Sequence, residues 1–182
     1  MDVTGFFRQD NSLVVEAAEE LLAAESELTM PDIDHTSWRK ARERVRRCED
    51  NLDDILYRLG TDGIGKLGNL AKVFAYAVVY RAVGRKLFNA RSPTPLTKER
   101  KRCWYNRRDD TRKRLVKAIA AWRDDEAMKN GKTIVWHLVL KRKGHSVPVL
   151  SSTDPLYIRI EYRDAMRKLE QGDMYFIAKE YK

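Results

Sequence analysis

Few residues in this chain could do chemistry, and most of them lack the company that chemistry requires. Gly60-x-x-x-x-Gly65-Lys66 satisfies most of a phosphate-cradling loop. Such a loop should follow a buried strand, with Ser or Thr after the lysine to hold Mg²⁺. Here a helical pattern precedes it and Leu67 follows the lysine, so a glycine-rich helix–helix connection accounts for the residues. His35, His137 and His145 are far apart, and neither Cys48 nor Cys103 stands at ligand spacing from a histidine or from the other. The sequence therefore implies no metal and no cofactor. No motif surrounds a serine or cysteine, although a triad assembled in space leaves no trace in spacing. Lys143-Gly144-His145-Ser146 reads as a solvated turn. Asp50, Asp53 and Asp54 read as a helix face paired with Arg46, Arg47 and Arg58. The expectation is a protein that is not an enzyme.

One segment breaks local rules. Lys98–Lys117 holds ten basic residues against three acidic ones, a net of +7. At 3.6 residues per turn its charges from Lys98 to Arg108 point in every direction, and four cations sit near the positive end of the helix dipole. Rules broken without local compensation mark a place where function is expected. Trp104, Tyr105 and Asn106 interrupt the charges. Aromatics among arginines suit base stacking beside phosphate contacts. The competing reading has Trp104 fixing the helix to the core and the arginines forming a solvated face. The candidate nucleic-acid contacts are Lys98, Arg100, Lys101, Arg102, Trp104, Arg107, Arg108, Arg112, Lys113 and Arg114. A secondary basic patch comprises Arg39, Lys40, Arg42, Arg44, Arg46 and Arg47, and Lys141–Lys143 extends the surface if the fold brings them together.

The elements that must position these residues are mostly helical. Residues 12–28 read as a helix with Ser12 as N-cap and Leu13, Ala17, Leu21, Ala24 and Leu28 on one face. Residues 37–59 carry a seam of Trp38, Ala41, Val45, Cys48, Leu52, Ile55 and Leu59, which predicts antiparallel packing on another helix. A third helix runs from about Lys66 to Asn89, apolar almost all round between Leu70 and Val83, as befits a central buried helix. A linker at Arg91–Pro95 precedes a fourth helix over 97–128, whose second half has a seam of Thr111, Leu115, Ala118, Ile119 and Trp122. After Asn130–Gly131 the period changes. Strands are predicted from Ile134, over Val147–Leu150, over Leu156–Tyr162 and over Met174–Ala178, with a short helix over Arg163–Gln171. The fold class is α+β: a bundle of about four helices, then a small C-terminal β-rich element. The expected divisions are an acidic arm and helix over 1–34, a basic bundle over 35–128 and the β-rich element over 129–182.

Composition fits this picture. Of 182 residues, 43% are hydrophobic and 35% charged, so a core forms under a dense ionic surface. The net charge of +9 favours an anionic partner. Residues 1–34 hold one basic and nine acidic residues, leaving +17 on the remaining 148. The acidic arm either masks the basic body or serves solubility. Two cysteines without a signal peptide read as reduced core residues in a cytoplasmic or virion-interior setting. No apolar run nears the roughly 18 residues that span a bilayer, so no membrane partner is expected.

Leu28–Asp125 resembles the head-to-tail connector (adaptor) proteins of tailed phages. Three features carry the resemblance. Ile33-Asp34 leads into a helix ending Leu52-Asp53-Asp54-Ile55-Leu56-Tyr57-Arg58; a small-residue helix covers Leu67–Arg81; a charged helix closes in Leu115-Val116-Lys117-Ala118-Ile119-Ala120-Ala121-Trp122. The resemblance implies a ring-forming subunit that lines a DNA passage. The β-rich part after Asn130 has no counterpart in the short members, and such rings are not usually this basic.

Three functions follow as expectations. The first is a nucleic-acid-associated protein gripping the phosphate backbone with low sequence specificity, DNA or RNA left open. The second is a virion assembly subunit such as a connector, which allows a homo-oligomer. The third is an inhibitor or adaptor docking on an acidic protein surface.

Overall fold

The computed structural model describes residues 3–30, 33–59, 68–88, 97–142, 144–169 and 173–182. Gly60, Gly65 and Lys66 of the phosphate-loop pattern, the Arg91–Pro95 linker, Lys143 and Gly172 lie outside them. The fold is mainly helical α+β with a three-stranded antiparallel sheet at the C-terminal end. The chain divides into two compact units, 1–122 and 123–182.

In the first unit, α1 (Val3–Glu27), α2 (His35–Leu59), α3 (Asn69–Phe88) and the larger part of α4 (Lys98–Lys129) share one core. The helix expected to start at Ser12 begins at Val3, so Ser12 lies inside α1 rather than at its start. Val14, Val15, Ala18 and Leu21 of α1 are fully buried, so the leading helix is part of the core. The α2 seam behaves as its spacing predicts: Ala41, Leu52 and Ile55 are buried, with Val45 and Cys48 packed against the core. Glu27 faces Arg44 and Glu20 faces Cys48, so α1 and α2 run antiparallel. Asp34 caps α2, its Oδ1 accepting from the N–H groups of Thr36 (2.8 Å) and Ser37 (3.0 Å). The Ser37 hydroxyl and these N–H groups hold the Asp34 carboxyl below its ordinary range.

α3 buries Leu70, Val73, Ala77 and Tyr80, but Ala75, Val78, Val79 and Ala82 are exposed. It is therefore a wall of the bundle with one apolar face outside, not the central helix its composition suggests. The α4 seam docks through Leu115, Ala118 and Ile119, with Trp122 packed beside them. Each fully buried Leu or Val contributes about 1.5–3 kcal/mol relative to the exposed side chain. Of the cysteines, Cys48 is half-buried and its thiol is pushed up by burial, then by Glu20. Cys103 is exposed, so only one of the two sits near the core; both are free.

In the second unit, β1 (Ile134–Arg142), β2 (His145–Ser152) and β3 (Asp173–Tyr181) form a sheet in the order β2-β1-β3. Gly144, at φ +83°, makes the left-handed turn of the β1–β2 hairpin. Pro148 sits on the edge strand beside a bulge that follows Leu138 in the register. The expected strand over Leu156–Tyr162 and helix over Arg163–Gln171 are one element, α5 (Pro155–Arg167). Asp154 accepts from the Leu156 N–H at 2.8 Å and Pro155 occupies the first turn, a start signal that overrides β-branched composition. α5 packs on the sheet and buries Ile158.

β1 and β3 are clasped at one end by Arg142, which donates to both oxygens of Asp173 (2.9 and 2.5 Å). This hydrogen bonding holds the Asp173 carboxyl below its ordinary value of 3.8. A carboxyl depressed in the folded state adds stability above its ordinary value and loses it as pH falls through the folded value. Acid unfolding followed by circular dichroism should therefore show Asp173→Asn losing less stability than the parent between about pH 5 and pH 2. Parallel acid limbs would refute this.

Candidate functional site

The basic segment of α4 divides by role. From Thr97 to Cys103 every residue is exposed, so the first two turns carry charge on all sides. Among the described residues, Lys98, Arg100, Lys101, Arg102, Arg107, Arg114 and Lys117 have no carboxylate partner. The Arg107 guanidinium lies over the half-buried Trp104 ring, 5.4 Å from its centroid. Trp104 therefore presents neither a fully docked nor a bare ring.

Three of the predicted contacts have internal partners. Arg108 pairs with Glu25 of α1 and covers the Tyr80 ring at 5.0 Å. Arg112 donates to the Ser26 hydroxyl at 3.3 Å, and Lys113 pairs with Asp109 one turn back at 2.6 Å. The acidic leading segment thus meets the basic helix at Glu25. Glu25 also accepts from the Tyr80 hydroxyl. Burial, then the charge and hydrogen bond of Glu25, hold the Tyr80 phenol well above its ordinary value.

The secondary patch on α2 splits between two clefts. Arg42 and Arg46, one turn apart, face a cleft of about 1040 Å³. Lys40, Arg44 and Arg47 line a second of about 730 Å³, where Arg44 pairs with Glu27. Arg39 is exposed. The larger cleft brings Arg42 and Arg46 together with Arg108 and Arg112 of α4, so the two basic stretches of the first unit meet there. Lys141 is exposed on β1 in the other unit.

Sequence reasoning missed the residues of α3 that build this cleft. Arg81 has a side chain only 6% exposed, yet it donates from Nε and Nη2 to Asp53 (both 2.9 Å) and from Nη1 to Glu49. Burial alone would lower the Arg81 guanidinium, but the Asp53 and Glu49 contacts more than offset it and its pKa is raised. Arg85 reaches the same Asp53 at 3.7 Å. Of the carboxylates expected to pair along α2, Asp53 therefore serves α3 instead, and Arg58 donates to the Asp54 carbonyl. The signal was present: Glu49 and Asp53 are spaced by four, placing two acids on one face of α2, and Arg81 closes the apolar run of α3.

The sheet carries a hydroxyl–imidazole–carboxylate chain. Ser151 Oγ is 2.7 Å from His137 Nδ1, and Glu180 Oε2 is 3.2 Å from Nε2. Ser151 is the cross-strand partner of His137, and Glu180 is its diagonal neighbour on the same face. Ser151 and Glu180 are exposed, and neither cleft reaches them. Register alone explains this ladder. Among the described residues no group of three His, Cys, Asp or Glu side chains could hold a metal ion, and no helix is long and apolar enough to cross a membrane. No protein-family model, no curated protein and no solved structure matches the chain.

Proposed function

We propose that the protein associates with nucleic acid through the exposed start of α4, gripping phosphates with low sequence specificity. One observation carries this: seven cations of Lys98–Lys117 lack a carboxylate partner among the described residues, and the first two turns are exposed all round. Holding like charges on one helix costs stability, and a polyanion would remove that cost. Such contacts give register-free affinity that depends on salt through counterion release. Fluorescence anisotropy with random-sequence single- and double-stranded oligonucleotides tests the reading. Affinity should fall by about two orders of magnitude or more between 50 and 200 mM salt and vary little with sequence. No binding at 50 mM salt would refute it.

A second reading, an assembly subunit such as a phage connector, is favoured by apolar surface on the second unit. Val147 and Val149 of β2, and Leu156 and Ile160 one turn apart on α5, are about half or more exposed. Exposed apolar side chains, where they gather into a patch, commonly mark protein interfaces. Light scattering of the pure protein should then give a mass several times 21.3 kDa. A strict monomer at high concentration counts against it.

A further inference from the structure

The large cleft of the first unit has the makings of a binding site in its own right. Its volume, about 1040 Å³, is just above the usual range for ligand pockets. Its charged walls are of two kinds. Arg81, Arg85 and Arg108 pair with Glu49, Asp53 and Glu25, and Asp109, which also lines the cleft, pairs with Lys113, so these belong to the scaffold. Arg42, Arg46 and Arg112 line the same space without a carboxylate partner among the described residues. Two aromatic rings join them: Trp38, half-buried with the Arg42 guanidinium 5.2 Å from its centroid, and the exposed Tyr105.

Gly84 forms part of the floor. It is buried in the second half of α3, inside the helix, where glycine is a poor choice on conformational grounds. A Cβ there would meet Arg81 Nη1 at 3.8 Å and Arg108 Nε at 3.9 Å, ordinary contact distances. A methyl group fits, while a longer side chain would project into the cleft. A large side chain at this lining position would therefore compete with a ligand for the space beside Arg81 and Arg108.

Several guanidinium forks around one space suit a phosphate, which accepts from more than one fork at once. Flat rings beside them suit a planar group. We infer that this cleft binds a phosphate monoester joined to a planar ring: a nucleotide, either free or at the 5′ end of a strand. The inference is independent of the grip proposed for the start of α4, because the two use different arginines.

Titration calorimetry of the full chain tests it with 5′-AMP, adenosine and inorganic phosphate. A parallel arm compares an oligothymidylate carrying a 5′-phosphate with the same strand ending in a 5′-hydroxyl. If the occupant is a free nucleotide, AMP binds one to one, at least about tenfold more tightly than adenosine or phosphate. If it is a strand end, the 5′-phosphate tightens oligonucleotide binding by about tenfold. In either case Arg46→Gln with Arg112→Gln lowers the effect about tenfold or more, since charge-assisted hydrogen bonds are lost. Gly84→Leu abolishes it and Gly84→Ala does not. Arg100→Ala with Arg102→Ala and Arg107→Ala leaves it intact, even where general strand affinity is lost. The inference is overturned if AMP fails to saturate at millimolar concentration and the 5′-phosphate makes no difference. It is equally overturned if either effect survives the Arg46→Gln, Arg112→Gln change in folded protein.

Discussion

Replacing Arg100, Arg102 and Arg107 together by alanine should weaken binding to random-sequence oligonucleotides by about 10²- to 10³-fold at low salt. Each lost charge-assisted phosphate contact is worth about 1.5 kcal/mol, and roughly tenfold in affinity corresponds to 1.4 kcal/mol. The fold should not suffer, because all three side chains are exposed and none has a carboxylate partner among the described residues. Alanine also favours the helix. Anisotropy gives the affinity, and the circular dichroism melt checks the fold. An unchanged affinity would remove the start of α4 from any account of function. Arg108 does not belong in this variant. Its removal strands Glu25 and uncovers Tyr80, so lost binding there would report damage to the bundle.

Arg81→Met should be strongly damaging to the first unit, costing about 3 kcal/mol. Breaking a buried ion pair typically costs about 3–5 kcal/mol, because the remaining charges lose their partner. The low end applies, since Glu49 and Asp53 keep about a quarter of their side-chain surface in water. For a unit of this size the melting temperature should drop by roughly 10 °C. Adding Asp53→Leu should recover part of the loss, since an apolar replacement of both partners leaves less charge unpaired. A drop below about 2 °C would show that the Arg81 cluster contributes little.

What could be read from the sequence was what rests on local period. The α2 seam from Ala41 to Ile55 and the β1–β2 hairpin follow from spacing alone, because each element buries a face set by its own repeat. α5 was misread because Ile158, Ile160 and the two tyrosines suggest a strand, whereas Asp154 and Pro155 decide the conformation from outside that stretch. The exposed charge at the start of α4 was visible as a run without a seam. The cleft was not visible. Glu25 meets Tyr80 across 55 residues and Arg108 across 83, and no periodicity links positions so far apart. For the same reason Arg108 looked like a ligand contact: its commitment lies on another helix.

The most direct measurement is the salt dependence of oligonucleotide binding by the parent and by the Arg100, Arg102, Arg107 triple alanine protein. On duplex DNA the slope of log K against log salt changes by about 0.9 for each phosphate contact. Three contacts at the start of α4 predict a slope shallower by about 2.7 in the variant. Equal slopes in the two proteins would contradict the account.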